Sequence, residues 1–517
     1  MRSSRRRILG IAILAVWIVM LGLHVRREYF RAETLVLAEG ARGLAPGSYF
    51  YIVRMNDAAI GLAVSSVDTL ADGFALDELL TLDVPALDTM HRAVVGTQVE
   101  LSPALELRNF RFRLDSEIGR FQVDGRQLAD SALALEIVSG GETQRLTMPI
   151  GDGVVLPAAL PLRIAAAGRL ESGREFGFRV FDPSVLAPRD VVMRVTAHDT
   201  MLVADSVELV RAASGTTPAS WRAARWDTVP VWRLEEAYGG VVSESWVDED
   251  GRVVRASSPL GFTMERTMYE LAQAEWARSR AEPALASGYG SIIESTAIAS
   301  DVDLDEVRRT RVLRVRLLGV DLGGFDLEGG RQTLRGDTLV VRQESADQLA
   351  ASYSLPYRGS GAPLDALGST PLIQANDPRI QRLARRIARS SREPAEVARR
   401  LNAWVHDALR KDITLSVPSA LQVLERREGD CNEHTVLYVA LARALGLPAR
   451  TAVGVVDVGG RFYYHAWPEV WLDGWVAVDP TLDQFPADAS HLRFLNGGLA
   501  RQVELIRLIG RLRLETA

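Results

Sequence analysis

Gly429-Asp430-Cys431-Asn432-Glu433-His434 contains the only cysteine of a 517-residue chain, and it stands where a helix is expected to begin. Asp430, three residues before Glu433, forms a capping-box start, and Leu437, Ala440, Leu441, Ala444 and Leu445 then recur on one helical face. Gly446 and Leu447-Pro448 are stop signals. Cys431 therefore falls in the first turn, where unpaired backbone N–H groups and the helix dipole favour a thiolate. Asp430 and Glu433 oppose that effect, so a reactive thiol here needs a cationic partner.

Further on, Tyr464-His465-Ala466-Trp467-Pro468-Glu469-Val470-Trp471-Leu472 has strand character, Asp473-Gly474 is a turn signal, and Trp475-Val476-Ala477-Val478-Asp479-Pro480 forms a second arm. One arm carries a histidine and the other an aspartate. A two-residue Asp473-Gly474 turn pairs Leu472 with Trp475 and sends His465 and Asp479 to opposite faces. A three-residue loop with Gly474 in the left-handed region and a bulge pairs Trp471 with Trp475 instead. His465 and Asp479 then become diagonal neighbours on one face. A Cys-His-Asp site requires that second register or an equivalent irregularity near Pro468.

Four ordered blocks carry a family resemblance: Gly429-Asp430-Cys431; Arg443-Ala444-Leu445-Gly446-Leu447-Pro448-Ala449-Arg450; His465 to Val470; and Trp475 to Thr481. Over about residues 375–500 the chain resembles the transglutaminase-like superfamily, whose members share a papain-like core. The resemblance implies Cys431 as nucleophile, His465 as general base and acid, and Asp479 as the group orienting the histidine. It implies no cofactor and no metal. The chemistry is consistent: a neutral thiol is a poor nucleophile, whereas a thiolate–imidazolium pair attacks a carboxamide or peptide carbonyl to form a thioester. The carboxylate holds the histidine tautomer, and the Cys431 N–H is the simplest oxyanion donor.

Other residues have plainer readings. His434, one turn along from Cys431, is an alternative base, and His406 is a helix-face residue. Trp404 belongs to an apolar helical stripe, although it is also a candidate second oxyanion donor. Trp467, Trp471 and Trp475 read as hairpin packing, and Asp483, Asp488 and His491 lack metal-ligand spacing.

Around this region the pattern divides the chain. Asp377–Ala388, Glu393–Leu409 and Ala420–Arg426 read as helices, and strands alternate to about Pro480. The fold class expected for residues 372–500 is therefore α+β, with 501–517 as a C-terminal strand or tail. Residues 45–272 form a β-rich domain, with runs such as Tyr49–Arg54, Arg108–Leu114 and Val191–Thr196 and turn signals at Asp72-Gly73, Asp124-Gly125 and Asp250-Gly251. Residues 273–292 read as a linker and 292–355 as a smaller β-rich segment. Within the latter, Gly324–Gln332 echoes Arg120–Gln127, an echo that a duplication would leave and that similar hairpins also produce by composition alone.

At the amino terminus Arg2, Arg5, Arg6 and Arg7 precede an uncharged run from Ile8 to Val25, long enough for about 27 Å of helix. Arg26, Arg27 and Glu28 close it, and no A-x-A-like cleavage site follows. This reads as a transmembrane signal anchor over 8–25. The charge bias places the bulk of the chain on the extracytoplasmic or periplasmic side of an inner membrane. Composition is that of a folded protein, with 47% hydrophobic and 24% charged residues. A net charge of −6 argues against a nucleic-acid partner. With one cysteine, intramolecular disulfides and Cys-rich metal sites are excluded, and Lys411 is the sole candidate for lysine chemistry. The expectation is a membrane-anchored thiol hydrolase or protease acting on protein or peptide substrates. Its alternatives are a protein-crosslinking transglutaminase and a non-catalytic peptide-binding scaffold.

Overall fold

A computed structural model describes residues 33–517, apart from positions 56, 87–88, 118, 129–130, 152, 211–219, 239–240, 282–296, 303–309 and 413–416. The anchor expected at 8–25 lies outside the described residues. Among the described residues no helix is long and apolar enough to cross a membrane.

Period-two alternation dominates the amino-terminal half: Ala132–Ser139 alternates half-buried with buried residues, and Glu142–Pro149 half-buried with exposed. Among the described residues fourteen strands form one antiparallel sheet, in which Gly47–Met55 also pairs with Phe262–Thr267. The edges are therefore Glu142–Pro149 and Glu175–Asp182. The segment between them joins the two, with Ile150 N–H donating to Ser131 O at 3.0 Å and Phe181 N–H to Val155 O at 2.9 Å. The concave face is filled by the helices Glu33–Ala41 and Leu160–Ala166, whose Leu37, Leu160 and Ile164 share a core with Phe110, Phe121 and Phe181.

Three upstream expectations need correction. Asp124-Gly125 is not a turn but lies inside the strand Gly119–Leu128. A Cβ on Gly125 would sit 2.0 Å from the Phe110 ring, so the glycine makes room for a core aromatic. The linker expected at 273–292 begins as the helix Tyr269–Ala281, seated through Ala272 and Trp276 against Ile52 and Ala59. The echo of Arg120–Gln127 in Gly324–Gln332 is not structural. The first is strand, whereas the second is mostly turn, with strand beginning only at Gln332.

The carboxy-terminal region is α+β. Asp377 and Glu393 cap the helices Pro378–Ala388 and Pro394–Ala408, and Ser419 caps Ala420–Arg426. The helix Cys431–Ala444 packs its Leu437, Tyr438 and Leu441 among them. A four-stranded sheet runs in the order Trp475–Ala477, Phe462–Trp471, Ala449–Asp457, Leu492–Asn496. The smaller β-rich segment expected at 292–355 is built onto this region. Its strand Val312–Leu318 pairs with Arg513–Thr516 from the carboxy terminus. Val315, Leu339 and Val341 then share one core with Phe462, Phe494 and Leu514. The β-rich half docks through Ser139 Oγ to Ser419 Oγ at 2.9 Å and Arg379 to Glu142 at 2.8 Å.

A buried charge cluster fastens these pieces. Glu469, 1% exposed, accepts from Arg450 at 2.6 Å and from Arg493 at 3.0 Å. Arg493 also donates to the carbonyls of Asp326, Glu328 and Gly329. Removing Glu469 takes the carboxylate from the buried Arg493 guanidinium and from the half-buried Arg450. Glu469→Ala is therefore expected to lower unfolding stability by about 3–5 kcal/mol, measured by urea titration.

Candidate active site

Cys431 is the first residue of its helix, and the local sequence accounts for that position. Asp430 accepts the Asn432 N–H at 2.8 Å, and Glu433 reaches back to the Asp430 N–H at 3.0 Å, completing the capping box. Glu433 folds over Gly429, where φ is +155° and a Cβ would lie 2.3 Å from the Glu433 side chain. Only glycine fits there. The Cys431 N–H lies in the turn that has no intrahelical acceptor.

The hairpin adopts the register that brings the histidine and aspartate together. Trp471 pairs with Trp475 and Glu469 with Ala477. Val478 N–H continues the ladder to Pro468 O at 3.0 Å. The loop differs in detail from the expected one: the left-handed residue is Asp473, at φ 58°, while Gly474 O accepts the Leu472 N–H at 2.8 Å. His465 Nε2 lies 2.7 Å from Asp479 Oδ2. The carboxylate can only accept, so Nε2 carries a proton in this contact. Ala466, next to His465, directs a backbone hydrogen bond to the Cys431 sulfur.

Asp479 is fully buried and fully engaged. Its Oδ1 accepts the N–H groups of Thr481 and Leu482 at 2.7 and 3.0 Å. Its Oδ2 meets His465 and also His491 Nε2, at 3.0 Å. Burial alone would raise this carboxyl, but the two imidazoles outweigh it and hold the group well below the usual carboxylate range. The thiol behaves differently. Burial first, then Asp430, Glu433 and Asp479, push Cys431 well above an ordinary cysteine, and the Ala466 hydrogen bond only partly offsets them. The resting sulfur is therefore a neutral thiol. The dipole at the helix start does not overcome desolvation and three nearby carboxylates.

The remaining sequence candidates lie apart from this line of contacts or support it. His434 is buried, with Nδ1 2.7 Å from Asp430 O, and burial pushes its imidazole down. His406 Nδ1 lies 3.0 Å from Pro480 O and braces the segment after Asp479. Trp404 packs on the helical core with the Arg427 guanidinium 5.6 Å from its ring. Trp467, 1% exposed, is hairpin packing, stacked near His465 and edge-on to His491. Asp483 stays in a turn, whereas Asp488 and His491 turn inward. Sequence spacing missed them because they approach from the loop that leads into the fourth strand. By distance alone His465, Asp479 and His491 could surround an ion, their donor atoms lying within 4.8 Å of one another. The hydrogen bonds at 2.7 and 3.0 Å already use those atoms. A cavity of about 210 Å³ adjoins the helix start, bordered by Asn432, Thr435, Met148, Leu186, Leu372 and Ile373.

Residues 381–480 match the family model of the transglutaminase-like superfamily. This segment is a transglutaminase-like domain. Among solved structures, a candidate cysteine protease from Cytophaga hutchinsonii is similar at 14% identity, covering 36% of this chain and 79% of its own, with a TM-score of 0.27. A β-barrel-like domain of unknown function from Brucella abortus is similar at 16% identity over 43% of this chain and 94% of its own, with a TM-score of 0.28. No curated protein sequence matches the chain. In the transglutaminase-like domain the matched region ends at Pro480, one residue beyond Asp479, and leaves out Asp488 and His491.

Asp488 supplies a test of this electrostatic arrangement. Burial would raise its carboxyl, but His491, Ser490 and Gln484 hold it down at about 2. Its contribution to stability is complete above the ordinary carboxylate value near 4 and is lost as pH falls toward the folded value. Asp488→Asn is expected to shrink the loss of unfolding free energy between about pH 6 and about pH 2 by about 2 kcal/mol, measured by urea titration at each pH.

Proposed function

We propose that this chain is a thiol enzyme that cleaves or transfers amide or peptide bonds through a thioester on Cys431. In this reading it acts on protein or peptide substrates from the extracytoplasmic face of a membrane, held by the anchor at 8–25. The observation that carries it is the 2.7 Å contact between His465 Nε2 and Asp479 Oδ2. That contact leaves Nδ1 for the thiol in this reading, and the neighbouring Ala466 reaches the Cys431 sulfur through its backbone.

Since the resting sulfur is protonated, His465 Nδ1 takes the S–H proton as sulfur attacks the carbonyl carbon. The carbonyl electron pair moves to oxygen, facing the Cys431 N–H. Collapse expels the amine, which takes the proton from Nδ1, and leaves the thioester. Water, or an acceptor amine, then gives its proton to Nδ1 as it attacks, and the thiolate departs and recovers the proton. Asp479 stays ionised throughout, because both its oxygens are committed to N–H donors. Water is the favoured acceptor, giving a cysteine protease or amide hydrolase.

One observation favours a second reading, a peptide-binding scaffold: burial and neighbouring carboxylates raise the Cys431 thiol, as in an inert cysteine. Peptide substrates, with and without a fluorescent primary amine, separate the readings. The enzyme is expected to release new peptide termini, to form a Cys431 acyl adduct visible by mass spectrometry, and to lose activity by about 10²–10⁴-fold in His465→Ala. Amine incorporation in place of hydrolysis would assign a crosslinking transglutaminase. Peptide binding that survives Cys431→Ala, with no turnover in the wild type, would assign the scaffold.

A further inference from the structure

Behind the carboxylate lies a group that the Cys-His-Asp arrangement does not need. His491 is completely buried, and each of its ring nitrogens faces a carboxylate: Nε2 is 3.0 Å from Asp479 Oδ2, and Nδ1 is 3.1 Å from Asp488 Oδ1. Carboxylates accept and do not donate, so both nitrogens must carry protons to satisfy this geometry, and the ring is then an imidazolium. The surroundings are built to keep it so. Asp488 is itself fixed by Ser490 Oγ at 2.6 Å and Gln484 Nε2 at 2.8 Å. The Trp467 ring stands at a right angle to the imidazole with centroids 5.1 Å apart, which excludes water from that side.

We propose that His491 is a positioning residue of the site: an imidazolium clamped between Asp479 and Asp488 that orients Asp479 and sets the pH range over which Cys431 and His465 react. This rests on the thiol-enzyme reading for its consequence, but not for the charge state of His491. The ionisable groups facing His491 are Asp479, Asp488, His465 and Glu344. Glu344 is paired with Arg331 at 3.0 Å, so it brings a compensating positive charge. The His465 ring lies 5.9 Å from the His491 ring. The fixed positive charge offsets the Asp479 charge that opposes ionisation of Cys431. Removing the charge moves the onset of thiol reactivity to higher pH.

The sign of that movement separates positioning from simple damage. Loosening the site exposes Cys431 to water and lets it titrate as an ordinary thiol near 8.5, which is a downward movement. In the full-length protein, the pH of half-maximal iodoacetamide alkylation of Cys431 is expected to rise by about one pH unit in His491→Gln, which keeps a donor to Asp479 without the charge. Asp488→Asn is expected to move it the same way by less. An unchanged or lowered midpoint in both variants overturns the proposal. Nitrogen-15 histidine spectra of the wild type at about pH 7.5 give an independent readout, with both His491 nitrogens expected to be protonated. A neutral His491 there overturns the proposal. A charged His491 in a protein without turnover would retain the clamp and reject the enzyme reading, so the two failures are distinguishable.

Discussion

Everything at the candidate site depends on one register. Trp471 opposite Trp475 carries the second arm of the hairpin back so that Asp479 falls diagonally from His465, on the same face of the sheet. A shift of one residue would turn the aspartate away and leave a histidine and a cysteine with nothing to fix the ring. The register is held from several sides. Asp473 takes the left-handed conformation in the loop, and its carboxylate is tied to Ser352. Glu469 anchors the histidine strand through Arg450 and Arg493, and His406 braces Pro480. Motif residues that look catalytic in a linear reading thus divide into those gathered at the candidate site and those that hold the hairpin in place.

The electrostatics follow from burial. Three carboxylates and a desolvated sulfur cannot all be ionised in one small volume, and the site settles the conflict by unequal pairing. Asp479 receives two backbone N–H groups and two imidazoles and stays ionised. Cys431 receives one backbone hydrogen bond and keeps its proton. Asp430, pressed against Glu433 in the capping box, is pushed up as well. The result is a thiol that keeps its proton at rest, in contrast to the preformed ion pair that a helix-start cysteine with a histidine partner leads one to expect. Such a site spends little stability on an uncompensated resting charge.

The large β-rich half serves this domain as a wall. Its residues Met148, Val185 and Leu186 line the cavity that adjoins the Cys431 helix, facing Leu372 and Ile373 from the other side. The strand hairpin ending at Ser139 reaches Ser419, the cap of the short helix just before the Cys431 loop. The small segment is fused to the domain through the carboxy-terminal strand.

Local signals in the sequence determined a good deal: the helix starts near Asp377 and Glu393, the capping box at Asp430, the helix stop at Gly446, the hairpin with its two possible registers, and the residues Cys431, His465 and Asp479 as candidates. These depend on neighbours a few residues apart, where turn chemistry and capping geometry act. Tertiary structure alone decided the rest. Asp124-Gly125 reads as a turn until Phe110 is seen to occupy the space above Gly125, and nothing in Val312–Leu318 names its partner, which arrives from residue 513. His491 and Asp488 carry no linear signature, because their role exists only where two carboxylates converge on one buried ring. Burial also reversed the expected lowering of the Cys431 pKa: the cost of desolvating a thiolate is fixed by everything packed around it, which no local spacing records.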